Sequence, residues 1–156
     1  MNSFLIITHS TLAEGLYNST KFLSGLTTNV KFIDAYVDES DWTKEAEEII
    51  SNQDKEKQLI VLTDIYGGSV NQKMTLMLEK YHFILITGVN LPLVLSLVLE
   101  TQPLTKEKCS NLVEEARKQL QIIEPIKLDS NETDSDFLSW WGSNELWLKN
   151  CELMTV

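Results

Sequence analysis

The apolar pattern of the chain begins with Phe4-Leu5-Ile6-Ile7-Thr8-His9-Ser10-Thr11-Leu12-Ala13-Glu14. The run at residues 4–7 is unbroken, which is typical of a strand that is covered on both faces. Thr11 and Glu14 have the spacing of a capping box, so we expect a helix to begin there. Gly25 is a plausible end for that helix. The stretch therefore predicts a buried strand followed directly by a helix.

The same alternation of strands and helices continues along the chain. Apolar runs predict further strands at residues 30–37, 59–62, 83–86 and 122–128. Helices are expected between them, and their start signals are an acidic segment before Trp42, a second capping box formed by Ser69 and Gln72, Asn90 and Thr105. The order β-α-β-α-β-α-β-α-α-β predicts an α/β domain with a mostly parallel open sheet and helices on both faces. Pro125 lies inside the last predicted strand, which favours an edge or an unusual pairing.

Composition limits the classes of function that remain open. The chain has 156 residues and a formal charge of −10, which disfavours nucleic acid and anionic membranes as partners. The first residues lack the features of a signal peptide, and no apolar run is long enough to span a membrane, so we expect a cytoplasmic protein. The two histidines and two cysteines are too scattered to predict a metal site, and we expect no cofactor.

A change of composition at residue 129 divides the chain. We expect residues 1–128 to form the domain and residues 129–156 to form an appendage. Residues 129–136 are polar and acidic, which indicates a linker. The remaining tail is rich in aromatic residues, namely Phe137, Trp140, Trp141 and Trp147. The tail is either a short amphipathic helix that packs on the domain or on a second copy, or a docking segment for a partner.

Two segments are expected at the carboxyl ends of strands, where open α/β sheets bind ligands. His9 ends the first strand, and Asp64 ends the third. His9 is either an ordinary polar residue or a nucleophile whose ring is oriented by a carboxylate, and Asp64 is the natural candidate for that carboxylate. His82 precedes the fourth strand, at the opposite edge, and we interpret it as structural or solvated.

The turn after Asp64 contains Gly67-Gly68-Ser69. Two glycines let the backbone approach a ligand closely, and their amides could hold an oxyanion, although the same residues are also found in plain turns. Together with His9 and Asp64 the turn suits phosphoryl transfer. We count Gly67, Gly68, Ser69 and Ser10 as candidate phosphoryl-binding residues, and Ser10 is better explained as a cap than as a nucleophile. Neither segment contains Lys or Arg, so a basic partner could neutralise the charge.

Three motifs resemble the mannose-family IIA domains of the bacterial phosphoenolpyruvate-dependent sugar phosphotransferase system. They are Ile6-Ile7-Thr8-His9-Ser10 with the helix start behind it, Asp64-Ile65-Tyr66-Gly67-Gly68-Ser69, and Thr87-Gly88-Val89-Asn90-Leu91-Pro92. They occur in the family's order, and the resemblance covers residues 1–128. Two positions depart from the family, which often has tryptophan in place of Tyr66 and proline in place of Val70. Both positions flank the predicted site, and they leave the sugar and the cognate partner open.

The resemblance implies a function. His9 would receive a phosphoryl group on Nε2 from the phosphocarrier HPr and pass it to a histidine of a separate IIB protein, which serves the membrane subunits IIC and IID. Asp64 would hold Nδ1, and the Gly67-Gly68-Ser69 turn would lie near the phosphoryl oxygens. Family members are homodimers, so the strand at 122–128 would be antiparallel and exchanged between the two copies.

Two other functions remain open at this stage. The phosphotransfer subunit of dihydroxyacetone kinase shares the fold and the early histidine, but its second loop usually reads Asp-Leu-Gly-Ser. A regulatory domain could instead use phosphorylation of His9 as a signal. Such domains are usually fused to transcription regulators, and this sequence has no DNA-binding helix pair and no basic patch.

Overall fold

The computed structural model describes residues 2–26 and 28–124. Within them the strands and helices follow in the order β1 (Asn2–His9), α1 (Leu12–Ser24), β2 (Val30–Ala35), α2 (Trp42–Ser51), β3 (Gln58–Thr63), α3 (Ser69–Met77), β4 (Ile84–Thr87), α4 (Leu91–Val98) and α5 (Lys106–Arg117). All of these elements belong to one compact unit that ends at Gln119. Among the described residues, no helix has both the length and the apolar content that a membrane crossing requires.

The four strands of the described residues form one parallel sheet in the order β2-β1-β3-β4. The chain moves from β1 to one side to form β2, and then to the other side to form β3 and β4. A crevice therefore opens between the carboxyl ends of β1 and β3, where the direction of winding changes, and ligands of open α/β sheets bind in such a crevice. The predicted parallel sheet is confirmed over these strands.

Both faces of the sheet are covered, as the unbroken apolar runs predict. On one face Phe4 and Ile6 of β1 lie in a core formed with α1, α4 and α5. On the other face Leu5 and Ile7 lie in a core formed with α2 and α3. Neighbouring residues of β1 thus point to opposite cores, which explains why no polar residue interrupts the run.

Two predicted helix caps form as expected, whereas the capping box predicted at Thr11 does not form. The Asn90 and Thr105 side chains cap α4 and α5 as expected, by accepting the N–H groups of residues 93 and 108. The prediction of a capping box at Thr11 is wrong, because the Thr11 side chain makes no capping hydrogen bond. Instead Asp34 of β2 accepts the N–H of Glu14 at 3.0 Å. A carboxylate from a neighbouring strand has replaced the local cap, and a pattern within one helix cannot predict that.

Element ends also differ in places. β2 stops at Ala35, two residues before the predicted end, because Tyr36 leaves the extended conformation with φ 66°. Gly25 ends α1 in the left-handed conformation, as expected. The predicted strand at 122–128 has no strand geometry at residues 122–124, and its remainder lies outside the described residues. The predicted linker and tail at 129–156 lie outside them as well.

Candidate functional site

The crevice between β1 and β3 brings His9 and Asp64 together. His9 is the last residue of β1, and Asp64 follows the last residue of β3. The Asp64 Oδ2 atom accepts the backbone N–H of His9 at 2.9 Å and lies 2.8 Å from ring atom Nδ1. The Asp64 side chain is 8% exposed, whereas that of His9 is 34% exposed. One carboxylate oxygen therefore fixes both the backbone and the ring of a histidine that solvent can reach.

This contact assigns the tautomer of His9. A carboxylate can only accept hydrogen bonds, so Nδ1 carries the proton and Nε2 keeps its lone pair. Burial alone would raise the pKa of Asp64. The hydrogen bonds from the His9 backbone, the His9 ring and the Ile65 N–H outweigh burial and hold that pKa below its ordinary value. Asp64 is therefore ionised at neutral pH, and Nε2 is available as a nucleophile.

The hydroxyl groups of Ser69 and Tyr36 form a hydrogen-bonded series that ends at His9 Nε2. Ser69 Oγ lies 3.0 Å from His9 Nε2, and Tyr36 Oη donates to Ser69 Oγ at 3.0 Å. The Tyr36 ring also stacks on the His9 ring, with 5.6 Å between centroids and 20° between planes. The prediction of a capping box at Ser69 and Gln72 is wrong. Gly68 is the N-cap of α3, and the Ser69 side chain contacts His9 instead.

Sequence reasoning missed Tyr36, although the rule that selected His9 and Asp64 could have found it. Tyr36 follows β2 directly, so it lies at the same edge of the sheet as the ends of β1 and β3. The apolar run continues to Val37, two residues beyond the end of β2, so Tyr36 was expected to lie within the strand.

The glycine turn differs from the expected oxyanion cradle. The Gly67 N–H donates to the Asn71 side chain at 3.0 Å, and the Gly68 N–H donates to Ile65 O at 3.0 Å. Both amides are thus already used within the protein. Asn71 is buried and also donates to Thr63 Oγ1 at 3.3 Å, so it ties the turn to the end of β3. Sequence reasoning missed this residue too.

Ser10 does not cap a helix. Its backbone has φ 55°, and its N–H donates to Ala35 O at 2.9 Å, which joins the end of β1 to the end of β2. Thr11 occupies the N-cap position of α1 instead. The structure therefore assigns Ser10 a backbone role at the edge of the site, and its phosphoryl-binding role stays a prediction.

Residues 2–26 and 28–124 contain no group of three or more His, Cys, Asp or Glu side chains that could hold a metal ion. Cys109 is buried in the core between α5 and its neighbours, as expected. His82 is exposed and precedes β4, so it lies at the amino edge of the sheet, away from His9.

A family model described as the PTS system fructose IIA component, EIIA-man, matches residues 3–116. The chain belongs to this family. The three motifs that carry the resemblance all lie within the matched residues, and the resemblance is confirmed. Membership in the EIIA-man family implies phosphotransferase activity in general and a place in a sugar phosphotransferase system.

Solved structures agree with this EIIA-man assignment. A Klebsiella pneumoniae structure, described as a phosphoenolpyruvate-dependent sugar phosphotransferase system permease, is 30% identical, with a TM-score of 0.71 over 78% of this chain and 90% of that chain. The mannose/sorbose specific IIA subunit from Enterococcus faecalis is 16% identical, with a TM-score of 0.70 over 82% of this chain and 98% of that chain. The latter shares the fold. A comparison with curated proteins found no match.

Gly68 offers a test of how closely the turn of this EIIA-man domain must approach the histidine. A Cβ atom at Gly68 would lie 3.1 Å from Ile65 O and 3.4 Å from His9 Cε1, although its backbone angles suit any residue. Gly68→Ala should therefore shift the turn and slow phosphotransfer about tenfold, measured as the rate at which the chain takes up a labelled phosphoryl group. Gly15→Ala is the matched control, because its Cβ would meet nothing within 4 Å. An equal rate in both variants would contradict the close approach.

Proposed function

We propose that the protein is a phosphohistidine carrier that takes a phosphoryl group from HPr and delivers it to a separate IIB protein during phosphoenolpyruvate-dependent sugar uptake. The observation that carries this proposal is the fixed ring of His9, with Nδ1 on Asp64 and the unprotonated Nε2 facing the Ser69 hydroxyl. The family match supports the phosphotransferase part. The double-glycine loop favours the sugar system over dihydroxyacetone kinase.

The proposed step balances without a change of protons. The Nε2 lone pair of His9 attacks phosphorus, the N–P bond of the donor phosphohistidine breaks, and its electron pair returns to the donor ring. The His9 ring then carries the phosphoryl group on Nε2 and a proton on Nδ1, so it is positively charged. Asp64 stabilises this charge at 2.8 Å. Transfer to a histidine of IIB reverses these changes.

The negative phosphoryl oxygens need donors, and neither loop contains Lys or Arg. The first N–H that donates within α3 is that of Gln72, to Gly68 O at 2.9 Å, which leaves the earlier N–H groups of this helix for an anion. Ser69 adds its hydroxyl beside Nε2. We infer that these groups, rather than the Gly67 and Gly68 amides, contact the phosphoryl oxygens, with further positive charge from the partner.

The experiment is incubation of the chain with phosphoenolpyruvate, Enzyme I and HPr. One acid-labile phosphoryl group per chain should appear, and none should appear when HPr is left out. Addition of a cognate IIB should then remove the label from this chain. Label that appears without HPr, or that survives acid, would refute the proposed carrier.

We also propose that the protein acts in the cytoplasm as a homodimer whose strand at residues 122–128 is exchanged, since the family it resembles is built so. Sedimentation of the full chain should give twice the mass of one chain. Truncation before Ile122 should give a folded monomer, because the four described strands β1–β4 all pair with one another and all precede residue 122. A monomeric full-length chain would refute the exchange.

A further inference from the structure

Tyr36 has a backbone conformation that calls for an explanation. Its φ is 66°, in the left-handed region that bulky side chains rarely adopt. Such conformations cost free energy and persist where the surroundings impose them, often at functional sites. Tyr36 belongs to none of the three motifs that carry the family resemblance, and its side chain is nevertheless the one stacked on His9.

The surroundings of Tyr36 hold it in this conformation. The preceding residue, Ala35, is tied to the end of β1 by the Ser10 N–H at 2.9 Å. The Tyr36 ring also meets the buried Trp42, with 5.6 Å between ring centroids and an edge-on angle of 70°. The phenol is therefore clamped between an anchored backbone and two rings, although it is 55% exposed.

The direction of the hydrogen bonds around Nε2 follows from Asp64. Because Nε2 carries no proton, the Ser69 hydroxyl must donate to it. The only role left for Tyr36 towards Ser69 Oγ is then that of donor, over 3.0 Å. The result is a directed series from Tyr36 through Ser69 to Nε2, in which each hydroxyl group polarises the next.

We propose that Tyr36 is a positioning residue for phosphoryl transfer, which acts by holding and polarising the Ser69 hydroxyl; this inference rests on the proposed function. When the Nε2 lone pair forms the bond to phosphorus, Ser69 can no longer donate to it. The Ser69 O–H rotates to a phosphoryl oxygen, while Tyr36 continues to donate to Ser69 Oγ. The Ser69 hydroxyl, which donates to Nε2 before the reaction, thus becomes a donor to the negative charge on the phosphoryl oxygens.

Tyr36→Phe removes only the hydroxyl group and keeps both ring contacts. We expect it to slow phosphoryl uptake from HPr by about three- to tenfold and to shorten the lifetime of the phosphorylated chain, because one neutral hydrogen bond is lost. Tyr81→Phe is the matched control. It removes a phenol that donates to Glu47 at 2.9 Å, at the amino edge of the sheet, and it should leave the rate unchanged.

A double-mutant cycle with Ser69→Ala distinguishes positioning from a merely structural role. If Tyr36 acts through Ser69, then Tyr36→Phe slows transfer in the wild-type background and has no further effect in the Ser69→Ala background. Equal effects in both backgrounds would overturn the proposal. Thermal midpoints of all four proteins should agree, so that a change of rate is not a change of folding.

The ¹⁵N resonance of His9 Nε2 in the unphosphorylated chain provides a second measurement. It should move in Tyr36→Phe and in Ser69→Ala, and Tyr36→Phe should add nothing once Ser69→Ala is present. This measurement needs no phosphoryl donor. If the wild type takes no label, the proposed function fails and the positioning role fails with it, while the resonances still report the hydroxyl series. If labelling succeeds but the cycle is additive, only the inference about Tyr36 fails.

Discussion

His9→Gln should abolish phosphoryl uptake, with at least about a thousandfold loss of rate. Glutamine keeps a polar side chain of similar reach, but its amide has no nucleophilic lone pair to form a bond to phosphorus. The hydroxyl groups of Ser69 and Tyr36 do not substitute, because a hydroxyl is a weak nucleophile unless an adjacent base takes its proton. The measurement is the rate of acid-labile labelling from phosphoenolpyruvate through Enzyme I and HPr.

The control for this variant is His82→Gln, which removes the other histidine of the sequence. His82 is exposed and lies at the amino edge of the sheet, so labelling should proceed at the wild-type rate. The His9 side chain is one third exposed and lies at the rim of the crevice, so His9→Gln should unfold cooperatively with a thermal midpoint close to that of the wild type. Undiminished labelling of His9→Gln would assign the phosphoryl group to another residue and remove the proposed function.

The fold was predictable because its signals are local and repeated. Apolar runs such as residues 4–7 and 59–62 can be buried on both faces only in a sheet with helices on either side, and the two cores have that arrangement. The pairing of His9 with Asp64 was predictable as well. Both residues end strands, and the carboxyl ends of parallel strands meet at one edge.

The rest of the site depends on contacts that a linear pattern does not contain. Thr11 and Glu14 have the correct spacing for a capping box, but Asp34 reaches the same N–H from the neighbouring strand. Gly67 and Gly68 were expected to offer free amides, yet the turn folds back so that Asn71 and Ile65 accept them. Tyr36 joins the site only because its backbone leaves the strand in a left-handed conformation. At Thr11 a tertiary contact overrides the local preference, whereas the glycine amides are accepted within the turn and the start of α3 itself.

Asp64→Asn should slow phosphoryl transfer by about a hundredfold to a thousandfold. In the wild type both carboxylate oxygens accept hydrogen bonds. Oδ2 accepts from the His9 backbone and faces ring atom Nδ1, while Oδ1 accepts the Ile65 N–H at 2.8 Å. An amide has one acceptor oxygen and one NH₂ group, so it must present a donor to one of these N–H groups. If the NH₂ group faces the ring, Nδ1 becomes the acceptor and the proton moves to Nε2, which removes the nucleophilic lone pair.

Asp64→Ala removes both the charge and the oxygens that orient the His9 ring. It should slow transfer at least as much as Asp64→Asn, and a rate equal to that of the wild type in either variant would exclude Asp64 from the mechanism. The Asp41→Asn variant is the control, because Asp41 is an exposed carboxylate that binds Thr43 and Lys44 before α2, outside the crevice. Its transfer rate should match that of the wild type.

The stability of Asp64→Asn should depend on pH with a definite sign. The pKa of Asp64 in the folded protein is lowered from its ordinary value of 3.8, so the ionised carboxylate is more stable in the folded protein than in the unfolded chain. The hydrogen bonds of ionised Asp64 to the partly exposed His9 ring contribute about 1–2 kcal/mol to the free energy of unfolding. This contribution is complete at pH values above the ordinary pKa of 3.8. It decreases as pH falls through the lowered pKa. Urea unfolding should therefore show the wild type to be more stable than Asp64→Asn at pH 7, with a difference that shrinks below pH 3.8. A difference that stayed constant into the acid range would mean that the ionised carboxylate is not what orients His9.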